Sequence, residues 1–595
     1  WPAAWGSAGL YRPVVQFMYA LLWNVSGGAP WLFHLYAVVL YAACAIGVLL
    51  VLARALPMGA AIAGALLFAV HPLHVESVAN VAGSAEIVAA LASIACVLIA
   101  VRAFDAALEP GASAIGWRAA LWSTLCFAIA LGAKESAATL PAIVAMCAWG
   151  WRAPRDGSAR DMRSVIARGW RVFAACAAAL LLMIVARRLV LGEFSPPSTA
   201  LAAGLEGESL AQRWWTMTAA WPRVAHLLVL PTRLSMHYGP TTVVPYHTLS
   251  AGAAAGIAIV AAITALAVAM ARRGDRRPLV AVSWIVLGYL AASNILVPTG
   301  QLLAERTLFF SSIGVAMIAG WVLARAESFS PRAMRAAMAV ALVLVVSGAA
   351  GSVRRAPVWS SEERLFQSGI DYDPAAYYPY EMLARVTGQH GDNARGLALL
   401  GEAYARYPAG QTLALEYAQH LRTSGRGEDA LVVLRATERA HPASQPVRLA
   451  YLDALLELRG ADSLIRDVEG HHGADAAGSL RYVLLANAYQ RLGLTDSVTA
   501  IYGRAVAEDG GDPGLRYAYA SALHASHREA DAQRELDSAA ASGRMPPVLR
   551  YALQARIALA EGDSAGARGA LARARALAPQ DTSLAALDSV LSRHR

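Results

Sequence analysis

The chain has 595 residues, 57% of them hydrophobic and 16% charged, with a mean hydropathy of +0.43, which excludes an ordinary soluble globular composition. Its formal net charge of +9 is not a nucleic-acid footprint, because the basic excess sits in short loops between apolar runs, where membrane topology puts it. Cys44, Cys96, Cys126, Cys147 and Cys176 lie in apolar segments at no metal-like spacing and give no support to disulfides or zinc.

The chain opens on WPAAWGSAGLYRP without Met or a signal peptide, so its true N-terminus is expected to lie upstream. Residues 1–30, rich in Trp, Tyr, Gly and Pro, suit the headgroup level better than a span. Apolar runs follow near 32–53, 58–70, 85–103, 117–133, 137–151, 170–191, 251–271, 278–297, 307–324 and 333–350, and ten crossings are expected. The loops near 54–57, 102–118, 152–171, 272–277 and 325–335 carry the arginines and read as cytoplasmic. The opposite loops, 1–30, 71–84, 134–136, 192–250 and 298–306, hold nearly all the suggestive chemistry. Arg213–Pro240 is apolar enough to tempt a span, but counting it would move RRGDRR outside; a re-entrant or interfacial helix is expected.

With ten crossings, both chain ends lie on the outer side. The composition divides the chain into a membrane domain at 1–350, a linker at 351–373 and a domain at 374–595. In the last, helix pairs repeat at about 34 residues, the tetratricopeptide spacing. Pro408, Pro442, Pro513, Pro547 and Pro579 mark the phase, and Ala418, Ala430, Ala488 and Ala520 sit where paired helices approach. Such repeats stack into a superhelix that binds extended peptides or partner proteins.

In the outer loops, His71, His74 and Glu76 form an H-P-x-H-x-E array. Three readings stand: interfacial residues bonding loop backbone, contacts to a phosphate or hydroxyl, and a metal site. If helix continues, Glu86 lies about three turns past Glu76 on the same cavity, as an acid/base or as the partner of a basic residue. Lys134–Glu135 and Glu305–Arg306 each read as a self-neutralising neighbour pair or as part of a cation cluster. With Arg12, such a cluster suits a phosphate-bearing ligand.

LYRPVVQFMYALLWNVSGGAPWLFHLYAVVLYA, HPLHVESVANVAGSAEIVAAL, LGAKESAATLPAIV, LLVLPTRLSMHYGP and SNILVPTGQLLAERTLFFSSIG occur in this order, followed by RRAPVWSSEERLF and tandem repeats. Together they resemble the transmembrane-and-tetratricopeptide-repeat O-mannosyltransferases of the GT-C glycosyltransferase class. The resemblance implies an all-α fold, a polytopic GT-C transmembrane helix bundle followed by a tetratricopeptide-repeat superhelix. It implies inverting transfer of a mannose-like sugar from a polyprenyl-phosphate donor to a hydroxyl on a protein or envelope acceptor guided by the repeats. For this Ala/Arg-rich, bacterial-looking chain it implies a bacterial inner membrane with a periplasmic site and repeat domain.

The family's base is an acidic residue in the first outer loop, yet no Asp or Glu precedes Glu76, so the base is expected upstream, with Glu76 and Glu86 as its nearest substitutes. By resemblance, Arg12 lies by the donor phosphate, and His71, His74, Lys134, Glu135, Tyr238, Glu305 and Arg306 line the donor cavity. The rival readings are a non-catalytic membrane scaffold recruiting partners through its repeats, and a glycolipid or polymer transferase of the same fold. The sequence carries no signal for the sugar, the acceptor, a metal or the oligomeric state.

Overall fold

The computed structural model describes residues 10–109, 112–151, 161–192, 208–470, 477–579 and 581–593, together with 202, 204 and 205. The opening WPAAWGSAG, the loop cations Arg152, Arg155 and Arg160, and residues 193–201 of the large outer loop lie outside the described residues. Among those described the fold is all-α, the one extended pairing being an isolated antiparallel bridge between Tyr238 and Leu303.

Packing divides the chain into two units, Trp1–Leu399 and Leu400–Arg595. The division falls beyond the compositional linker because helices Glu362–Tyr372 and Tyr378–Gln389 pack within the first unit. Arg223 donates to the Tyr372 hydroxyl at 2.7 Å, Thr242 donates to Asp373 at 3.1 Å, and the His237 ring stacks on Tyr378 at 4.4 Å.

Six described helices are long and apolar enough to cross a membrane: Pro30–Leu52, Val81–Ala107, Trp170–Leu191, Ala251–Arg272, Glu305–Phe329 and Pro331–Ser360. Met58–Ala69 and Pro72–Ala79, bent by 48° at their break, make a seventh if counted as one. The other apolar runs fold as shorter helices. Runs 117–133, 137–151 and 278–297 yield helices of 17, 11 and 14 residues, Trp117–Ala133, Leu140–Gly150 and Arg277–Leu290, short of the roughly 20 a crossing takes. Arg213–Pro240 breaks at Ala220 into helices Leu210–Ala219 and Trp221–Val229, neither long enough to cross.

Along helix Pro331–Arg355, Leu342, Val343 and Val346 are 59–64% exposed. Apolar side chains presented on successive turns require a lipid solvent, and the first unit is that of an integral membrane protein. Its helices meet through glycine. A Cβ on Gly64 would lie 2.7 Å from the Ala316 carbonyl oxygen, and one on Gly314 would lie 2.5 Å from that of Ala281. Backbones packed this closely admit no side chain between them.

The second unit is a stack of antiparallel helix pairs. Helices begin at Gln411, Gln445, Leu480, Pro513, Pro547 and Thr582, a spacing of about 34 residues. Ala418, Ala430, Ala488 and Ala520 are all buried where pairs approach. Pro513 and Pro547 open helices as their first residue, since a missing N–H costs nothing there.

Candidate functional site

Three short helices of the first unit stop at polar turns. After Met58–Ala69, Pro72 opens the turn Pro72–His74, followed by the one-turn helix Val75–Ala79. Trp117–Ala133 ends at Lys134 in extended conformation, and the turn Glu135–Thr139 follows. Beyond Arg277–Leu290 a loop runs to extended Ala304 and the turn Glu305–Leu308. Asn294 organises that loop from a left-handed backbone, φ 59°, which Asn tolerates. Its amide donates to the carbonyls of Gln301 and Leu302 at 2.8 and 3.0 Å, and its oxygen accepts from the Thr299 N–H at 2.7 Å.

These turns bring the charges together, but not as neighbour pairs. Lys134 pairs with Glu86, Glu135 with Arg12, and Arg306 with Glu76. The self-neutralising reading of Lys134–Glu135 and Glu305–Arg306 is thereby corrected: consecutive residues on a turn point in different directions, so each finds its partner on another element. Arg12 reaches Glu135 through Nε at 3.2 Å and Nη2 at 2.9 Å, and Arg187 lies 3.8 Å from the same carboxylate. Glu76, 1% exposed, accepts from the Arg306 backbone N–H at 2.8 Å and from its guanidinium, which also donates to Gln301 at 2.6 Å.

The charges of Arg12, Arg306, Glu135 and Glu76 all act on Lys134, so the pairs form one cluster. Glu76 and Glu86 share it without sharing a helix, because Asn80 turns the chain between Val75–Ala79 and Ser84–Ala107.

The histidines are held by hydrogen bonds. His71 Nε2 donates to the Leu228 carbonyl at 3.1 Å while Nδ1 accepts from the Leu73 N–H. His74 Nδ1 lies 2.8 Å from the Tyr41 hydroxyl and Nε2 lies 2.9 Å from Ser312 Oγ. No ring nitrogen is left over for a metal, and Glu76 is taken by Arg306, so the zinc reading of the H-P-x-H-x-E array does not fit. Among the described residues no three His, Cys, Asp or Glu side chains form a metal-binding group.

Glu305, fully buried, accepts from the Ser235 N–H at 2.6 Å and the Tyr238 hydroxyl at 2.9 Å, both through Oε1. Burial and the Glu305 charge hold the Tyr238 phenol far above its usual pKa, so it stays a donor. Burial, helped by the Arg306 charge and opposed by Asp373, pushes His237 down to about 4. Arg355 and Arg187 complete the site and were missed as functional residues. RRAPVW at the end of an apolar run, and the Arg187–Arg188 pair inside another, were the available signals.

Fold and site together define an integral membrane protein with a buried charged compartment and a helical-repeat unit. A family model described as tetratricopeptide repeat matches residues 411–542, and the second unit carries those repeats. The chain is similar to Protein O-mannosyl-transferase Tmtc1 of Drosophila melanogaster, at 26% identity over 62% of this chain and 51% of that protein. It is similar to Protein O-mannosyl-transferase F38B6.6 of Caenorhabditis elegans, at 23% identity over 64% and 51%. To Protein O-mannosyl-transferase TMTC3 of Mus musculus it is 24% identical over 60% and 40%.

The resemblance carried by the five motifs is to this same family. The chain spans about half the length of the curated relatives it matches, or less. Among solved structures, a tetratricopeptide repeat protein from Parabacteroides merdae aligns with 41% of this chain and 93% of its own, at 16% identity and a TM-score of 0.27.

Proposed function

We propose that this protein is a membrane glycosyltransferase of the GT-C kind. It moves a mannose-like sugar, with inversion, from a polyprenyl phosphate to a hydroxyl on a protein or envelope acceptor brought by the repeat unit. The observation that carries this reading is the cluster in which Lys134, Arg306 and Arg12 are each held by a carboxylate of another element. The names of the relatives support it. In this reading the polar turns and the repeats face the periplasmic side of a bacterial inner membrane.

The acceptor oxygen attacks the anomeric carbon, the bond from that carbon to the phosphate oxygen breaks on the opposite face, and lipid phosphate leaves. The hydroxyl proton passes to a carboxylate. A carboxylate paired with a cation is a weak base, and Glu76 and Glu86 are both so paired. A donor phosphate competes for Lys134 and Arg306, and the carboxylate it releases becomes the stronger base. The cations left on the phosphate neutralise the charge that develops as it departs. His71, His74, Glu135, Tyr238 and Glu305 hold the turns in place around this exchange.

The test is transfer from a polyprenyl-phosphate mannose to peptide in vesicles carrying the full chain. Lys134→Gln and Glu86→Gln are expected to lower kcat/KM by roughly a hundredfold or more. Unchanged transfer in both folded variants, or no transfer from any polyprenyl-phosphate sugar, overturns the reading. Sugar found on lipid instead of peptide replaces the protein acceptor with a glycolipid one.

A further inference from the structure

Beside the histidine turn, within the first unit, lies a cavity of about 760 Å³ walled by apolar side chains of several helices, among them Phe68, Leu228, Ile263, Val315 and Leu344. Three of its lining helices, Ala251–Arg272, Glu305–Phe329 and Pro331–Ser360, are candidate spans. Its polar boundary is shared with the site: His71 and Ser312 line it, and Ser312 is the residue beside His74.

Arg354 and Arg355, at the last turn of helix Pro331–Arg355, also line it. Arg354 is exposed, whereas Arg355 is only 9% exposed and its Nε and Nη2 are buried without a hydrogen-bond partner. Glu305, the carboxylate whose charge it meets, is bonded through Oε1 to Ser235 and Tyr238, and no ion pair to Arg355 is formed among the described residues. The other site cations each have a carboxylate. A buried guanidinium with two unbonded nitrogens is costly, and one at the head of an apolar cavity is a place where an anion on an apolar chain gains from both ends.

We infer that this cavity holds the hydrocarbon of a lipid phosphate and that Arg355 is the residue that receives its phosphate. The inference rests on the transferase reading for its purpose, since the bound lipid would be the donor, but not for its evidence. It moves the main phosphate contact from Arg12, which is occupied by Glu135, to Arg355. Arg355 is in this respect a binding and positioning residue, which fixes the leaving phosphate beside Lys134 and Arg306.

The experiment uses the purified full chain in nanodiscs with a farnesyl phosphate bearing a diazirine on its chain, the labelled peptides being mapped by mass spectrometry. Label is expected on the segments around residues 221–230 and 344–348, with unlabelled farnesyl phosphate competing and farnesol or inorganic phosphate failing to compete. Arg355→Gln should weaken competition about ten- to hundredfold, Arg355→Lys should retain most of it, and Ile263→Trp should abolish labelling while leaving Arg355 in place.

Equal competition by farnesol shows that no phosphate is read, and equal competition by inorganic phosphate shows that no lipid is read; either overturns the inference. So does labelling that is unmoved by both Arg355→Gln and Ile263→Trp. If Arg355→Gln fails to fold, the Ile263→Trp and Arg355→Lys arms decide. Labelling as described with no sugar transfer leaves this site standing and removes the transferase; transfer without such labelling does the reverse.

Discussion

The two units use the same chemistry, arginine against carboxylate, to opposite ends. In the repeat unit Arg448 is almost fully buried and donates to Glu438 and Asp467, both at 2.7 Å and only 10 and 19 residues away in sequence. Such pairs tie each helix to the next, as a fold in which repeats contact only their neighbours requires. In the membrane unit the pairs join residues 123 and 230 apart, at turns where helices have stopped short, and the histidine turn that carries Glu76 also lines an open cavity through His71 and Pro72. A pair between neighbours fastens one repeat to the next; a pair between distant turns fastens the turns of a site.

The comparison breaks most visibly at Glu76. Glu76→Ala leaves the Arg306 guanidinium without its counter-charge in a largely buried site, and is expected to destabilise the full chain in detergent by about 3–5 kcal/mol, measured as a lowered unfolding midpoint. The double variant Glu76→Leu with Arg306→Met should regain most of that midpoint and none of the transfer. By contrast, Arg459→Ala, which removes an exposed pair with Glu428 in the repeats, should leave the midpoint where it was. Equal losses in the two units would erase the distinction.

A second contrast is smaller. Gly314→Ala drives a methyl onto the Ala281 carbonyl and should cost about 1–3 kcal/mol. Gly569→Ala, in helix Ser564–Leu577 with nothing within 4 Å of the new methyl, should gain about 0.4–1 kcal/mol. A third effect, that of His237, shows only on acidification. Its folded pKa of about 4 lies below the ordinary 6.5, so between these values the unfolded chain binds the extra proton. Stability of the membrane unit is therefore full above about pH 6.5 and declines as pH falls towards 4. His237→Gln should flatten that decline in a series of thermal midpoints taken across the window.

Much of this was legible in the sequence. The apolar runs folded as helices, the repeat period reappeared in the helix starts, and Ala418, Ala430, Ala488 and Ala520 were buried because a helix pair brings small residues into contact at fixed spacing. The five motifs named the turns that meet at the site. What could not be read was who faces whom. Lys134 stands next to Glu135 in the chain and binds Glu86 in space, a choice made by an extended residue at a helix end and not by spacing. Helix lengths escaped the reading for a related reason: hydropathy does not report where a helix halts at a polar turn. Arg355 escaped notice because an arginine ending an apolar run looks like a topological marker until a cavity is found beside it.

The last span of the membrane unit ends on the histidine turn. Ser352 Oγ donates to the Val70 carbonyl at 2.9 Å, and Gly348 and Gly351 lie so close to Val70 and Pro72 that a Cβ would approach within 3.1 and 2.8 Å. Its outward middle turns face lipid. Close backbone contact of this kind joins the helix and the turn as one rigid corner. Arg355 and His71 both stand on that corner, so the polar end of the chamber they line is shaped by helix packing and not by loop conformation.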